Sequence, residues 1–385
     1  MTPAEQLTFY MKSIYEKRLT TTSGGNLSIR DAEGNIWITP ASVDKGSLTP
    51  ADIVCIKPDG TVEGKHRPSS ELPFHSNIYR LRPDLNAVLH AHPPRLLASS
   101  MIRKCPNLSL LPSVKAVCGK IGVVPYAVPG SKLLSEYIGK CFADGYNLAL
   151  MENHGVCVGG ADMGTAFGRF ETLEYTAELE IQACRLGTPH GTERTAKMIS
   201  GKTWEGPCGE LTAMVRRARR QGLFTSTLGR CCVRREGGYL AMSGDEIPYF
   251  VTGGIPGAIF DAHPEIGAVI EAQPVHAMAF AVTNTPFDTW VIPESYVLLR
   301  DVVRLPEDAA PGDSARALGE AAPVALLENR CAITVGTDLL QAFDRLEVLE
   351  TTAQALIGAA ALGDIVRIQQ SQIDEMKVVF GLKDG

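Results

Sequence analysis

The chain repeats itself, and a repeat fixes the fold problem at one unit solved twice. "RPDLNAVLHAHPPRLLAS" (Arg82 to Ser99) and "HPEIGAVIEAQPVHAMAF" (His263 to Phe280) share six of eighteen positions at a constant offset of 181. "LALMENHGVCVGGADMGTAFGRFETLEYTA" (Leu148 to Ala177) and "VALLENRCAITVGTDLLQAFDRLEVLETTA" (Val324 to Ala353) share fourteen of thirty at an offset of 176, without a gap. A weaker match sets "GNLSIR" (Gly25 to Arg30) against "GRCCVR" (Gly229 to Arg234) at an offset of 204. The blocks keep their order, so the chain is a tandem duplication. The stretch Gly187 to Gly209, rich in Gly, Thr, Pro and charge and without periodicity, reads as the linker. The expected domains are 1–195 and 205–365, with a short charged helical tail over 366–385.

Within each unit the pattern predicts helix, strands, helix, strand, strand pair and helix. Residues 4–18 alternate at helical spacing. "NLSIR" and "NIWITP" read as strands joined by the turn "DAEG". "SSELPFHSNIYRLRP" reads as a helix with Ser69 or Ser70 as N-cap, Pro73 in its first turn and an end before Pro83. "NAVLHAH" is a strand, "NLALMENHGVCVGG" a strand pair, and 161–186 a long helix. Strands and helices that mix without regular βα alternation predict an α/β domain, each copy a mostly antiparallel sheet flanked by helices.

Hydrophobic residues make up 45% and charged ones 21%, so each domain can bury a core. A net charge of −6 over 385 residues argues against nucleic-acid and anionic-membrane partners. No apolar run reaches eighteen residues and the N-terminus lacks a signal-peptide pattern, which sets the expectation of a cytoplasmic protein. The ten cysteines form no CxxC pair and read as reduced thiols, with Cys231 and Cys232 in the core.

His90 and His92 lie two apart in a strand and so project from one face, about 6–7 Å apart. Both can reach one metal ion. Alone, such a pair is more often two hydrogen-bonded histidines at a sheet end. His154, in the turn "MENHGVC", supplies a third ligand and tips the balance. Three neutral histidines leave an ion's double charge available for Lewis-acid work. The remaining histidines, His66, His75, His190, His263 and His276, read as surface or core residues. Glu71, near a predicted helix start, is the candidate acid–base group; a first-turn Glu favoured by the helix dipole is the plainer alternative. Ser69 and Ser70 are either simple caps or an anion site. "SGGNLSIR", with Asn26 and Ser28, is either a hairpin entry or a Gly-rich turn that admits a phosphate.

Taken together, "SGGNLSIR", "ITPASVD", "PSSELPFH", "NAVLHAHPP" and "ENHGV" resemble, in order and spacing, the class II aldolase/adducin family. The resemblance covers nearly all of the first domain. It implies a zinc site (or another divalent ion such as manganese or cobalt) from His90, His92 and His154, with Glu71 as the acid–base carboxylate. It implies a substrate phosphate held by Asn26, Ser69 and Ser70 with help from Ser42, where Ala41 and Ser42 stand in place of the Thr-Gly pair the family often carries. The implied reaction is cleavage of a ketose phosphate through a metal-stabilised enediolate. Glu71 favours an aldolase of the L-fuculose-phosphate type over the 4-epimerases, which usually have Asp there. The family's aldolases carry a catalytic tyrosine in the segment matching "LLPSVKAVC" (Leu110 to Cys118); this chain has none there, and Tyr126 is the nearest. Epimerisation, dehydration and phospho-keto-acid decarboxylation are the alternatives, and an adducin-like assembly protein is the non-enzymatic one.

The second copy departs from the first at the ligands. His90 becomes Glu271, His92 becomes Gln273 and His154 becomes Arg330, and the segment bearing Glu71 has no clear counterpart. The second domain is therefore expected to be metal-free, with Arg330 and Glu271 forming a buried pair where the ion would sit. The family's ring-of-four habit implies a homo-oligomer, in which two fused chains build a pseudo-tetrameric ring of domains.

Overall fold

The structure, a computed structural model, describes residues 1–194, 196, 201–319 and 321–382. It divides into two compact units, residues 1–108 with 114–177, and residues 109–113 with 178–385. Part of the sequence-inferred linker, and the last three residues of the expected tail, lie outside the described residues.

In the first unit an amphipathic helix α1 (Pro3–Glu16) opens the chain. Thr2 caps it and Glu5 completes a capping box, and Pro3 occupies the first turn, where a missing N–H costs nothing. Its buried residues Leu7, Met11 and Ile14 follow at helical spacing. The sheet comprises β1 (Asn26–Arg30), β2 (Ile36–Ile38), β3 (Val54–Ile56), β4 (Val62–Glu63), β5 (Ala87–Ala91), β6 (Ile121–Val124), β7 (Leu148–Met151) and β8 (Gly155–Gly160). Its order is β4-β3-β2-β1-β5-β8-β7-β6, antiparallel throughout except for the β6–β7 pair. β5 is central, and all five of its residues are buried. A strand covered on both faces needs an apolar run, and "AVLHA" is one apart from its histidine.

Helix α2 (Leu72–Leu81) buries Phe74, His75, Ile78 and Tyr79. Phe74, Ile78 and Tyr79 join a core with Leu85, Val88, Val124, Leu134, Ile138, Phe142 and Met151. Each large apolar side chain buried this way contributes about 1.5–3 kcal/mol, enough to anchor the helix start that carries Glu71. The expected serine cap is not what forms. Glu71 is itself the N-cap, and Ser69 Oγ instead accepts the Glu71 N–H at 3.3 Å. With Pro73 in the first turn one donor is already absent, and the remaining demand for a cap is small.

The second unit repeats the plan. Its strands are β9 (Lys202–Thr203), β10 (Arg230–Arg235), β11 (Gly238–Ser243), β12 (Pro248–Val251), β13 (Ala268–Ala272), β14 (Val302–Leu305), β15 (Val324–Leu327) and β16 (Cys331–Gly336). The sheet order is β14-β15-β16-β13-β10-β11-β12-β9, again with one parallel pair, β14–β15. Read from the other edge, seven of its strands follow the order of the first sheet; the eighth place, held by β4 in the first sheet, is taken by β9, which precedes β10 in the chain. The registers agree as well: Asn26 faces His90 across β1–β5, and Arg230 faces Glu271 across β10–β13. The three sequence offsets thus fall on equivalent positions. Alternate residues separate onto two faces: Cys232, Tyr239, Ala241 and Val269 pack in one cluster, and Cys231, Leu240, Met242 and Ile270 in another. Both adjacent cysteines are core, as expected, and all ten cysteines are free thiols. The helix Gly254–Ala262 corresponds to α2 and ends in the same backbone bond, His263 N–H to Ile259 O matching Arg82 N–H to Ile78 O. The segment before this helix is shortened, as expected: β12 ends at Val251, so the stretch from residue 57 to Ser70 has no counterpart, and counting back from the shared helix end puts Thr252 at the position of Glu71. No helix among the described residues is long and apolar enough to cross a membrane.

Candidate metal centre

The three histidines come from two places that the sheet brings together. β5 delivers His90, and His92 follows one residue past its end, where Pro93 and Pro94 stop the strand and open the next helix, Pro94–Met101. His154 sits in the turn between β7 and β8, after Asn153 in the left-handed region at φ 54°. The His90, His92 and His154 ring centroids lie 4.6–5.3 Å apart. One ring nitrogen from each falls within 4.8 Å of the others.

Two glycine-bearing turns make room for this. Gly155 has φ +149°, and a Cβ there would stand 2.6 Å from Ala91 O and 2.8 Å from His92 Cδ2. Gly25 has φ +71°, and a Cβ would meet His90 O at 2.7 Å. The Gly-Gly-Asn turn and the His-Gly pair are therefore needed for the approach of the backbone to the histidines.

The hydrogen bonding prepares the imidazoles as ligands. His90 Nδ1 donates to Val156 O at 2.9 Å, which leaves the Nε2 lone pair free. That Nε2, His92 Nε2 and His154 Nδ1 are buried and without hydrogen-bond partners, as is Glu71 Oε1. Burial, then the neighbouring His154, pushes His90 down to about 3, and burial, then His90, pushes His92 down to about 4. Burial lowers His154 too, against the opposing pull of Glu71. The rings are neutral near pH 7, and three clustered imidazoles with unpartnered buried nitrogens beside a carboxylate fit a divalent cation. Glu71 Oε2 lies 3.3 Å from His90 Nε2, and Oε1 lies 3.6 Å from His154 Nε2.

Asn26 is buried, and its amide is held at both ends: Nδ2 donates to Glu71 Oε2 at 2.7 Å and Oδ1 faces His75 Nε2 at 2.5 Å. Ser69 is buried, while Ser70 and Ser42 are exposed, Ser42 at φ 55°. Sequence reasoning placed His75 among surface or core residues; it is fully buried, and it is tied into the site. The helical spacing from Glu71 to His75, one turn, was the available signal, since residues four apart share a face.

In the second unit the expected pair of Glu271 with Arg330 does not form. Glu271 is buried, and it is ion-paired and hydrogen-bonded to Arg230, its largely covered cross-strand neighbour. The cross-strand neighbours share a sheet face, whereas Arg330 sits in the β15–β16 turn, where its carbonyl accepts from Gln273 Nε2 at 3.2 Å. Among the described residues, the group of histidine, cysteine and acidic side chains able to hold an ion is His90, His92 and His154.

The profile of the family described as "Class II Aldolase and Adducin N-terminal domain" matches residues 5–181 and 257–357. An L-fuculose phosphate aldolase of Methanococcus maripaludis is 36% identical over 43% of this chain and 89% of its own length. A 3-oxo-tetronate 4-phosphate decarboxylase of Haemophilus influenzae is 33% identical over 44% of this chain and 81% of its own. A solved L-fuculose 1-phosphate aldolase is 33% identical over 49% of this chain and 90% of its own, with a TM-score of 0.46. The chain belongs to the class II aldolase and adducin N-terminal domain family, and among the described residues it is the first of its two matched segments that carries the three-histidine cluster.

Proposed function

We propose that the chain is a zinc-dependent lyase that cleaves a carbon–carbon bond of a ketose phosphate at the first domain, residues 1–195. The second domain, 205–365, is a metal-free copy and 366–385 an appended tail. The observation that carries this reading is the cluster of three neutral imidazoles, each with a buried nitrogen lacking a hydrogen-bond partner and one ring nitrogen of each within 4.8 Å of the others, with Glu71 beside His90 and His154. His90, His92 and His154 would hold the ion; zinc suits a histidine set, with manganese and cobalt as the divalent alternatives. When bound, the ion supplies Lewis-acid stabilisation for negative charge that develops on oxygen as the bond breaks. Glu71 takes the proton of the hydroxyl on the carbon being released and returns one to the carbon left behind. Ser42, Ser69, Ser70 and the second Nδ2 hydrogen of Asn26 contact the phosphate. No lysine is required as a covalent partner.

A second reading is decarboxylation of a phosphorylated keto acid. The segment Leu110 to Cys118 holds no tyrosine to share in moving the hydroxyl proton of the carbon being released. A carboxylate is already ionised and leaves as carbon dioxide without that proton transfer, and the relative from Haemophilus influenzae is named a decarboxylase.

The test is metal analysis of the purified full-length protein, followed by phosphorylated ketoses and keto acids as substrates. A phosphorylated fragment plus an aldehyde, with no protein adduct trapped by borohydride, supports cleavage. Carbon dioxide release supports the second reading. Epimers without fragments, or a metal-free protein that turns over neither class, overturn the proposal. The homo-oligomer expected from the family is tested by the mass of the particle in solution.

A further inference from the structure

Behind Glu71 runs a buried chain of hydrogen bonds. Glu71 Oε2 accepts from Asn26 Nδ2 (2.7 Å), Asn26 Oδ1 faces His75 Nε2 (2.5 Å), His75 Nδ1 faces Ser28 Oγ (2.7 Å), and Ser28 Oγ faces Tyr79 Oη (2.7 Å). Glu71 is 7% exposed, Asn26 4%, Tyr79 3%, and Ser28 and His75 are wholly buried.

The direction of every bond follows from the first. An ionised carboxylate only accepts, so the Asn26 atom facing it is the amide nitrogen. Oδ1 is then an acceptor, and His75 Nε2 must carry the hydrogen. A neutral imidazole has one N–H, so Nδ1 offers a lone pair and Ser28 donates to it. Ser28 Oγ in turn accepts from the Tyr79 phenol. Burial holds both end groups in the form this requires, His75 neutral and Tyr79 protonated.

The second unit says what the chain is not for. By the offsets its sheet and helix confirm, Asn26 becomes Arg230, Ser28 becomes Cys232, His75 becomes Pro256 and Tyr79 becomes Phe260. Phe260 is as buried as Tyr79, and Arg234 covers its ring as Arg30 covers that of Tyr79, at 4.9 and 5.2 Å. The same fold is built without one of these hydrogen bonds. Every polar member has gone from the copy that also lacks the three histidines.

We infer that His75 is a positioning residue for proton transfer: with Ser28 and Tyr79 behind it, it fixes the Asn26 amide so that Glu71 Oε2 stays an acceptor and Oε1 is the oxygen that exchanges the proton. This rests on the role proposed for Glu71. Chains of aligned donors reinforce one another, and supporting residues of this kind typically change activity about 10–100-fold when removed.

Two measurements on the full-length, metal-loaded protein decide it. Nitrogen NMR of labelled histidine needs no substrate: His75 must show a protonated Nε2 and an unprotonated Nδ1. The opposite tautomer, or an imidazolium, overturns the chain as drawn, whatever the protein catalyses. On the phosphorylated ketose or keto acid it turns over, His75→Met should lower kcat about 10–100-fold with KM and metal content little changed. His75→Gln, whose amide can still donate to Asn26, should recover much of the loss. Tyr79→Phe, which the second unit shows can pack, should lower kcat by a smaller factor and keep the fold. Unchanged kcat in a folded His75→Met protein overturns the inference, as does a loss that Gln does not restore. If no substrate of either class is found, the proposed function fails while the NMR measurement still decides the chain.

Discussion

The two units keep one set of polar contacts and discard another. Glu174 accepts the backbone N–H groups of Arg95 and Leu96, and Glu350 those of His276 and Ala277, each closing the start of the helix that follows the central strand. Arg169 Nη1 bonds Gly159 O, and Arg345 Nη1 bonds Val335 O. Arg30 Nη2 bonds Leu85 O, and Arg234 Nε bonds the equivalent Ile266 O. Asn153 and Asn329 occupy the same left-handed position, at φ 54° and 52°. The glutamate and arginine contacts satisfy backbone groups that either copy would otherwise leave without these partners. His90 Nδ1 does bond Val156 O, but the second unit folds with Glu271 in its place, and it folds as well without His92, His154, Glu71 and the chain behind Glu71. The difference separates what this fold requires from what the first unit adds to it.

The largest expected effect tests the added set. Glu71→Gln is nearly isosteric and should lower turnover about 10²–10⁴-fold while unfolding is little changed. Turnover equal to wild type would remove Glu71 from the chemistry. His154→Ala should leave the sheet intact and cause metal content to fall sharply. A variant that still binds one ion per chain would show that the three histidines are not its ligands.

The discarded positions should behave as structure in the second unit. Arg230→Ala leaves Glu271 charged and buried, and should cost about 3–5 kcal/mol in denaturant unfolding. The double replacement Arg230→Met with Glu271→Leu should recover most of that loss, since a buried pair is often no better than well-packed apolar groups. Metal content should stay at the wild-type level in both. A loss of metal in either would mean that the second unit is not independent of the site.

The smallest effect is on pH dependence. His90 and His92 have folded-state values depressed to about 3 and 4, against about 6.5 for an unfolded histidine. Between about pH 6.5 and 4 the unfolded chain binds more protons than the folded one, so stability falls as pH falls. Thermal unfolding of the metal-free protein should show this slope, and His92→Gln, the residue of the second copy, should make it shallower. A slope that is the same in both proteins would assign it to other groups.

The helices and the parallel strand β6 between β5 and β7 were not foreseen, but the repeat, the alternation that puts His90 and His92 on one face, the turn that carries His154 and the strands and helices that bear these residues were legible in the sequence. Each depends on local periodicity: side chains two apart on a strand share a face whatever surrounds them, and matched blocks fold to matched elements. The cap of α2, the partner of Glu271 and the place of His75 were not legible. They depend on which residues face each other across strands and between a helix and a sheet. Sequence spacing named Arg330 as the partner of Glu271, but the β10–β13 register put Arg230 directly opposite it. His75 looked like an ordinary helix residue until β1 laid Asn26 and Ser28 against it. The sequence by itself determined that there are two copies and which one holds the three histidines. Only the tertiary structure decided how a carboxylate beside those histidines is held, because a chain of hydrogen bonds spanning Asn26 to Tyr79 has no period to read and exists only once strand register and helix packing have closed it.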